Sequence, residues 1–216
     1  RSPEKHLATT GEPCDCHDQM QGKMVSALFF GAESIFWMSE KQRKLYHDLF
    51  PFLEKRSNII LSSIFSDDTL RLISTLRTSG SQRSESYLIV GSNSWIKGVE
   101  DAVSYCQENN LEYEIVSGLS HSALLEKMSL SKGLVFLPLG GDTCPRTVIE
   151  AKLLGCDLIL NDNVLHKDET WFATDDPRDT VDWITLGPKR FWSEINRQLS
   201  RQPTISGYTT TKDCVR

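Results

Sequence analysis

The chain predicts an α/β fold, a parallel sheet with helices on both faces. Short apolar runs such as Tyr87-Leu88-Ile89-Val90 and 134–139 alternate with stretches whose apolar residues recur at helical spacing. The runs are apolar almost throughout, the pattern of strands buried on both faces. Two of them end directly in glycine-bearing turns, at Gly91 and Gly140. Ligands of such sheets bind beyond the carboxyl ends of the strands, so both turns point to one rim.

The elements follow in order. Residues 1–15 carry Pro3, Gly11 and Pro13 and read as irregular. A helix is expected over 17–30 from the spacing of Met20, Met24, Ala27 and Leu28, then a strand over 34–38. Ser39 is placed to cap a helix over 40–50, with Leu45, Tyr46 and Leu49 as its apolar face and Pro51 as its stop. A strand over 58–63 precedes Ser66-Asp67-Asp68, where acids in a first turn favour a helix start. Leu70, Ile73 and Leu76 continue that helix, and 79–86 is a loop. After the strand at 87–90, a helix over 97–109 turns Val99, Ala102, Val103 and Cys106 inward. A strand over 113–116 follows, and Ser120 caps a helix reaching about Met128. The strand at 134–139, a glycine-rich turn, a helix over 147–154 closed by Gly155 and a strand over 158–160 complete the alternation. From Asn161-Asp162-Asn163 onward the chain reads as polar and irregular until an amphipathic helix over 191–199.

The 216 residues suit one domain with additional pieces, and 39% apolar with 25% charged residues describes a globular chain. A net charge of −5 excludes a general nucleic-acid binder. No apolar run approaches the roughly 18 residues of a membrane span. The start, Arg1-Ser2-Pro3, has neither methionine nor a secretory apolar segment, as in a fragment or processed chain. Six cysteines are too sparse for a disulfide framework, which points to a reducing, cytoplasmic setting. Cys106 and Cys156 read as buried thiols. Cys14-Asp15-Cys16-His17 offers half a zinc site, but no second ligand pair follows at usable spacing, so no metal is expected.

The segment from Gly140 to Glu150 carries the chemistry. Glycines there serve positive φ or close approach of the backbone to a ligand, and the helix start offers free amides and a positive dipole end to an anion. Asp142 and Glu150 bracket the turn with seven residues between them. A cradle between two carboxylates suits a sugar nucleotide, with the diphosphate in the middle, the sugar on one side and the ribose on the other. Thr143 and Thr147 either donate to phosphate or cap the helix. Arg146 pairs with phosphate or with a neighbouring acid. Cys144 has no base beside it in sequence and reads as a loop thiol.

This segment resembles the acidic signature of retaining nucleotide-sugar glycosyltransferases of the two-domain GT-B architecture, family 4. In that family the first acid contacts donor-sugar hydroxyls and the second the ribose, positions that fall on Asp142 and Glu150; the aspartate is a departure. A second likeness lies in Gly91-Ser92-Asn93-Ser94-Trp95-Ile96-Lys97-Gly98. There the family places an arginine after the glycine, then Lys-Gly, with both cations on the diphosphate. Lys97 and Gly98 keep that spacing; Ser92 stands where the arginine would be, with Arg146 as a partial replacement. The resemblance implies that 57–202 is the Rossmann-like nucleotide-sugar-binding half. It makes 1–56 a remnant of the acceptor-side domain and 203–216 the start of a second transferase domain. The expected activity is glycosyl transfer from a nucleoside diphosphate sugar, without cofactor or metal, to a glycan, lipid or protein acceptor. The catalytic residues of the acceptor side would lie outside this chain. A non-catalytic nucleotide-sugar-binding module and a sugar-nucleotide epimerase are the alternatives.

Overall fold

The computed structural model describes residues 3–15, 18–80 and 82–201. Helices α1 (Pro3–Thr10) and α2 (Met20–Gly31) precede strand β1 (Ser34–Trp37), α3 (Glu40–Leu49), a 3-10 turn (Pro51–Lys55) and β2 (Ser57–Ile60). Helix α4 (Asp67–Thr78) leads to β3 (Tyr87–Val90), a 3-10 turn (Trp95–Lys97), α5 (Val99–Glu108) and β4 (Tyr113–Val116). Then come α6 (His121–Ser129), β5 (Gly133–Phe136), α7 (Arg146–Leu154) and β6 (Asp157–Leu160). Helices α8 (Thr170–Ala173), α9 (Pro177–Thr185) and α10 (Gly187–Leu199) follow.

The fold is α/β with parallel sheets flanked by helices, as the apolar runs predict. The larger sheet has the order β4-β3-β5-β6, every pair parallel. Side chains alternate between its faces because the strand period is two. Tyr87, Ile89 and Val135 meet Ala102 and Cys106 of α5 on one face. Leu88 and Leu134 meet Leu125 and Met128 of α6 and Val148, Ile149 and Leu154 of α7 on the other. Burying each such leucine or isoleucine contributes roughly 1.5–3 kcal/mol. The chain steps from β3 to β4 on one side and returns to β5 on the other, so the turns leaving β3 and β5 diverge. Such a switch point opens a crevice at the carboxyl edge of a parallel sheet.

Strands β1 and β2 form a second, two-stranded parallel sheet. Its core is Ile35, Trp37 and Leu53, with the indole N–H of Trp37 donating to Asn58 Oδ1 at 2.7 Å. Helix α10 returns to cover it: the Phe191 and Phe36 rings are 4.8 Å apart, and Arg197 donates to the Ser57 hydroxyl at 2.7 Å. Hydrogen bonds, first from Arg197 and then from neighbours that include Ser34 and Gln198, hold the buried Glu194 carboxyl well below the usual carboxylate range. The boundary drawn at 56/57 therefore runs between two paired strands, and the end of the described chain packs on the same layer as its beginning.

Several expectations are corrected. Residues 3–10 are helical because Pro3 occupies the first helical position, where its missing N–H is harmless; Gly11, at φ 72°, ends the helix. Helix α9 likewise starts at Pro177, capped by the Asp176 side chain, which accepts from the Arg178 amide at 2.9 Å, in a stretch read as irregular. On α3 the inward face is Tyr46 and His47 against Trp37, while Leu45 and Leu49 point to solvent. The helix expected from 97 begins at Val99, after Gly98 turns the chain with φ 61°. The strand expected over 134–139 stops at Phe136, and Leu137 to Leu139 lead into the turn. Cys16, His17 and residues 203–216 lie outside the described residues, and with them part of the half zinc site and the expected start of a second domain.

Two positions allow tests of this packing. A Cβ on Gly98 would lie 1.8 Å from the carbonyl oxygen of Leu137, in a left-handed conformation. Gly98→Ala is expected to lower unfolding free energy by about 3 kcal/mol, from strain and overpacking together, measured by urea denaturation. His166 is fully buried, stacked on Trp171 at 5.5 Å and edge-on to Phe172 at 4.5 Å. Burial pushes it down to about 4 from an ordinary 6.5. The unfolded chain therefore takes up the proton first: His166 contributes fully above about pH 6.5, and that contribution falls as pH drops toward 4. Between pH 7 and 5 this removes roughly 2 kcal/mol, and His166→Phe should flatten that part of the stability curve.

Candidate functional site

At the switch point, the turns after β3 and β5 are locked to each other. The Leu139 amide donates to the Ile96 carbonyl at 2.9 Å, and Gly98 packs beneath Leu137. From the other side, the side-chain amides of Asn161 and Asn163 both donate to the Pro138 carbonyl, at 2.9 and 2.8 Å. Asp142 is then pinned by its own backbone. Its amide donates to Asn163 at 2.7 Å, and its carbonyl accepts from Leu165 at 3.0 Å, a short parallel bridge. Two asparagines read only as the start of an irregular stretch thus set the position of the acid.

Lys97 ends the 3-10 turn Trp95–Lys97, ahead of α5. Its ammonium donates to Asp142 Oδ2 at 2.6 Å and lies 5.5 Å above the Phe136 ring. Its position has a cause, the Asp142 carboxylate, which sequence spacing alone could not supply. Glu150, on α7, is buried, with 2% of its surface exposed. Its Oε1 meets His121 Nε2 at 2.8 Å and Arg146 at 3.9 Å. Sequence reasoning passed over His121, which opens α6 next to the cap Ser120 and three residues after Gly118, where the chain turns with φ 71° beyond β4. That glycine turn at a strand end was the signal that could have found it.

Arg146 opens α7 and lies 4.8 Å over the Phe65 ring while remaining half-exposed. The N-cap of α7 is Pro145, which gives no side-chain hydrogen bond, so no side chain caps the first amides of this helix. Asp142 does not serve as the cap, and neither do Thr143 and Thr147, whose hydroxyls have no partner among the described residues. Gly140 and Gly141 have ordinary negative φ. A Cβ at Gly141 would make only van der Waals contact with Leu165, so positive φ is not what this turn requires. Gly91 is tighter, with a Cβ position 3.2 Å from the Val116 carbonyl. Ser92 is exposed and its hydroxyl accepts from the Ser94 amide at 3.1 Å.

Cys144 is buried beside these groups and its carbonyl accepts the Ser63 hydroxyl at 2.8 Å. Burial pushes its thiol up to about 11, which leaves it protonated and unreactive near neutral pH. Among the described residues no group of three or more His, Cys, Asp or Glu side chains is arranged to hold a metal ion. Among them also, no helix is long and apolar enough to cross a membrane. The rim therefore presents Lys97 with Asp142, His121 and Arg146 with Glu150, and the uncapped start of α7. No family model matches the chain, and no curated protein matches it.

A double-mutant cycle measures the His121 contact. His121→Ala leaves a buried carboxylate short of its hydrogen bond, a loss of about 1–3 kcal/mol. The cycle with Glu150→Gln should return a coupling of about 0.5–3 kcal/mol in thermal or urea unfolding. Additive effects would show that the contact carries no energy.

Proposed function

We propose that the carboxyl edge of the larger sheet binds a nucleoside diphosphate sugar and that the chain belongs to the transfer of that sugar to an acceptor hydroxyl. The diphosphate would lie against Lys97, Arg146 and the first amides of α7. Asp142 would accept from sugar hydroxyls and Glu150 from the ribose. In the transfer, the acceptor oxygen bonds to the anomeric carbon as the bond from that carbon to the diphosphate oxygen breaks. The diphosphate leaves with the electron pair, and the hydroxyl proton goes with it. The chain's part is to stabilise the charge gathering on the leaving group with fixed donors and cations. The retained configuration and the likeness to GT-B transferases rest on the motifs of the sequence.

One observation carries this reading. Lys97 and Asp142 come from two different strand ends and meet at 2.6 Å at the switch point, beside an uncapped helix start. An ion pair of this kind in the free protein is a charge-balanced resting state that an anionic ligand can divide. A phosphate takes the ammonium, and sugar hydroxyls take the carboxylate.

Calorimetric titration with UDP and GDP tests it. Lys97→Ala and Glu150→Gln should each weaken binding by about 1.5–3 kcal/mol, roughly 10- to 150-fold. Asp142→Asn should act with the opposite sign on the nucleoside diphosphate, because it frees Lys97 and removes a repelling charge. Unchanged affinity in both the Lys97 and Glu150 variants, with thermal melts showing folded protein, would remove the assignment.

A further inference from the structure

Beside the turn that ends in Lys97 lies a concavity of about 380 Å³ that shares Ser92 and Gly98 with the phosphate-binding segment but is lined by none of Lys97, Asp142, Arg146 and Glu150. Gly98 and Leu139 contribute to its lining, and Leu139 leads directly to the turn that carries Asp142. Around them stand the indole of Trp95, the hydroxyls of Ser92 and Ser94, and the carboxylates of Glu100 and Asp101.

Three properties define what fits. First, no lysine, arginine or histidine lines the concavity, while two carboxylates do. That charge balance disfavours a phosphate or an acid and accepts a neutral or amine-bearing molecule. Second, Trp95 lines the concavity and keeps 36% of its surface exposed, although an indole gains most when its face is covered. Third, the Trp95 indole N–H and the carboxylates of Glu100 and Asp101 make no hydrogen bond or ion pair among the described residues. A flat apolar plate edged by free planar acceptors matches a pyranose ring. The sugar's C–H face lies on the indole, and its hydroxyls donate to the carboxylates.

We infer that this concavity is a carbohydrate subsite that receives the acceptor, so that the acceptor is a neutral or amino sugar rather than a lipid or an acidic glycan. The inference rests on the donor reading for its role, since Gly98 and Leu139 of the lining adjoin Lys97 and the turn that carries Asp142. It rests on Trp95 and the unpaired carboxylates for its chemistry. Glu100 and Asp101 stand in the first turn of α5, at the end of the helix whose dipole favours negative charge.

Saturation-transfer NMR on the full chain tests it, with methyl α-glucoside, methyl β-galactoside and methyl glucosaminide as probes and methyl glucuronide as the acidic control. Saturation is expected to reach ring protons of at least one neutral or amino probe and not the glucuronide. Trp95→Ala and Asp101→Asn should each reduce the signal at least threefold, and Trp95→Phe should retain most of it. UDP affinity of Trp95→Ala should equal that of the native chain. No transfer to any probe, or transfer indifferent to Trp95→Ala in a protein with a native melting curve, would overturn the subsite. Loss of UDP binding with retained sugar signals would instead defeat the donor reading and leave a carbohydrate-binding surface.

Discussion

The close approach of Gly98 to the Leu137 carbonyl is the constraint on which the rim depends. It brings the turn after β3 onto the turn after β5 at the point where the sheet's connections diverge. Any side chain at 98 would push the two apart. With them joined, the Leu139 amide reaches Ile96, and Lys97 can meet an acid carried by a different strand. The asparagines at 161 and 163 complete the clamp from the β6 side. Both charged side chains are thereby held by backbone geometry before any ligand arrives, which spares the entropy of gathering them on binding.

Much of this architecture was legible from the apolar runs. Strands buried on two faces have a composition that few other elements share, and β3 and β5 fall where those runs are, while the edge strand β4 leaves Glu114 and Ile115 exposed. Serine caps at 39 and 120, and the acids after Ser66, marked helix starts correctly because both satisfy the free amides of a first turn. Pro3 misled, since the same residue that breaks a helix interior suits its first turn, and Pro177 does the same service at the start of α9 in a stretch whose polarity hid it. The inward face of α3 was misjudged because Leu45 and Leu49 share one side of this short helix while Tyr46 and His47 take the side that meets Trp37, a choice its neighbours make.

The site divides in the same way. Lys97, Asp142 and Glu150 stand out in sequence because they flank glycine turns at strand ends. His121, Asn161 and Asn163 do not, since their contributions are contacts across 29, 23 and 25 residues of chain. The pairing of Asp142 with Lys97 was equally invisible, whereas Arg146 beside a neighbouring acid was one of the two readings of that residue. That pairing matters for affinity, because a ligand gains only the difference between its own contacts and those it breaks. Glu150 is the extreme case: buried, it depends on His121 and Arg146 for its partners.

The path of the backbone between the two layers has a mechanical consequence. The chain leaves the β1–β2 layer at Leu61 and comes back at Gly187, and these points adjoin: Arg190 of the returning helix donates to the Leu61 carbonyl at 3.2 Å. Ser62, just past the departure, holds φ at 63°, uncommon for a residue with a side chain. The larger sheet thus joins its companion by two side-by-side crossings, one of them bent at a single serine, and by the Glu40 amide on Glu169 at 2.7 Å and Lys41 on Asp168 at 2.6 Å. Rotation about that axis would break those two side contacts, swing the whole ligand edge as one piece and leave every strand pairing within either sheet intact.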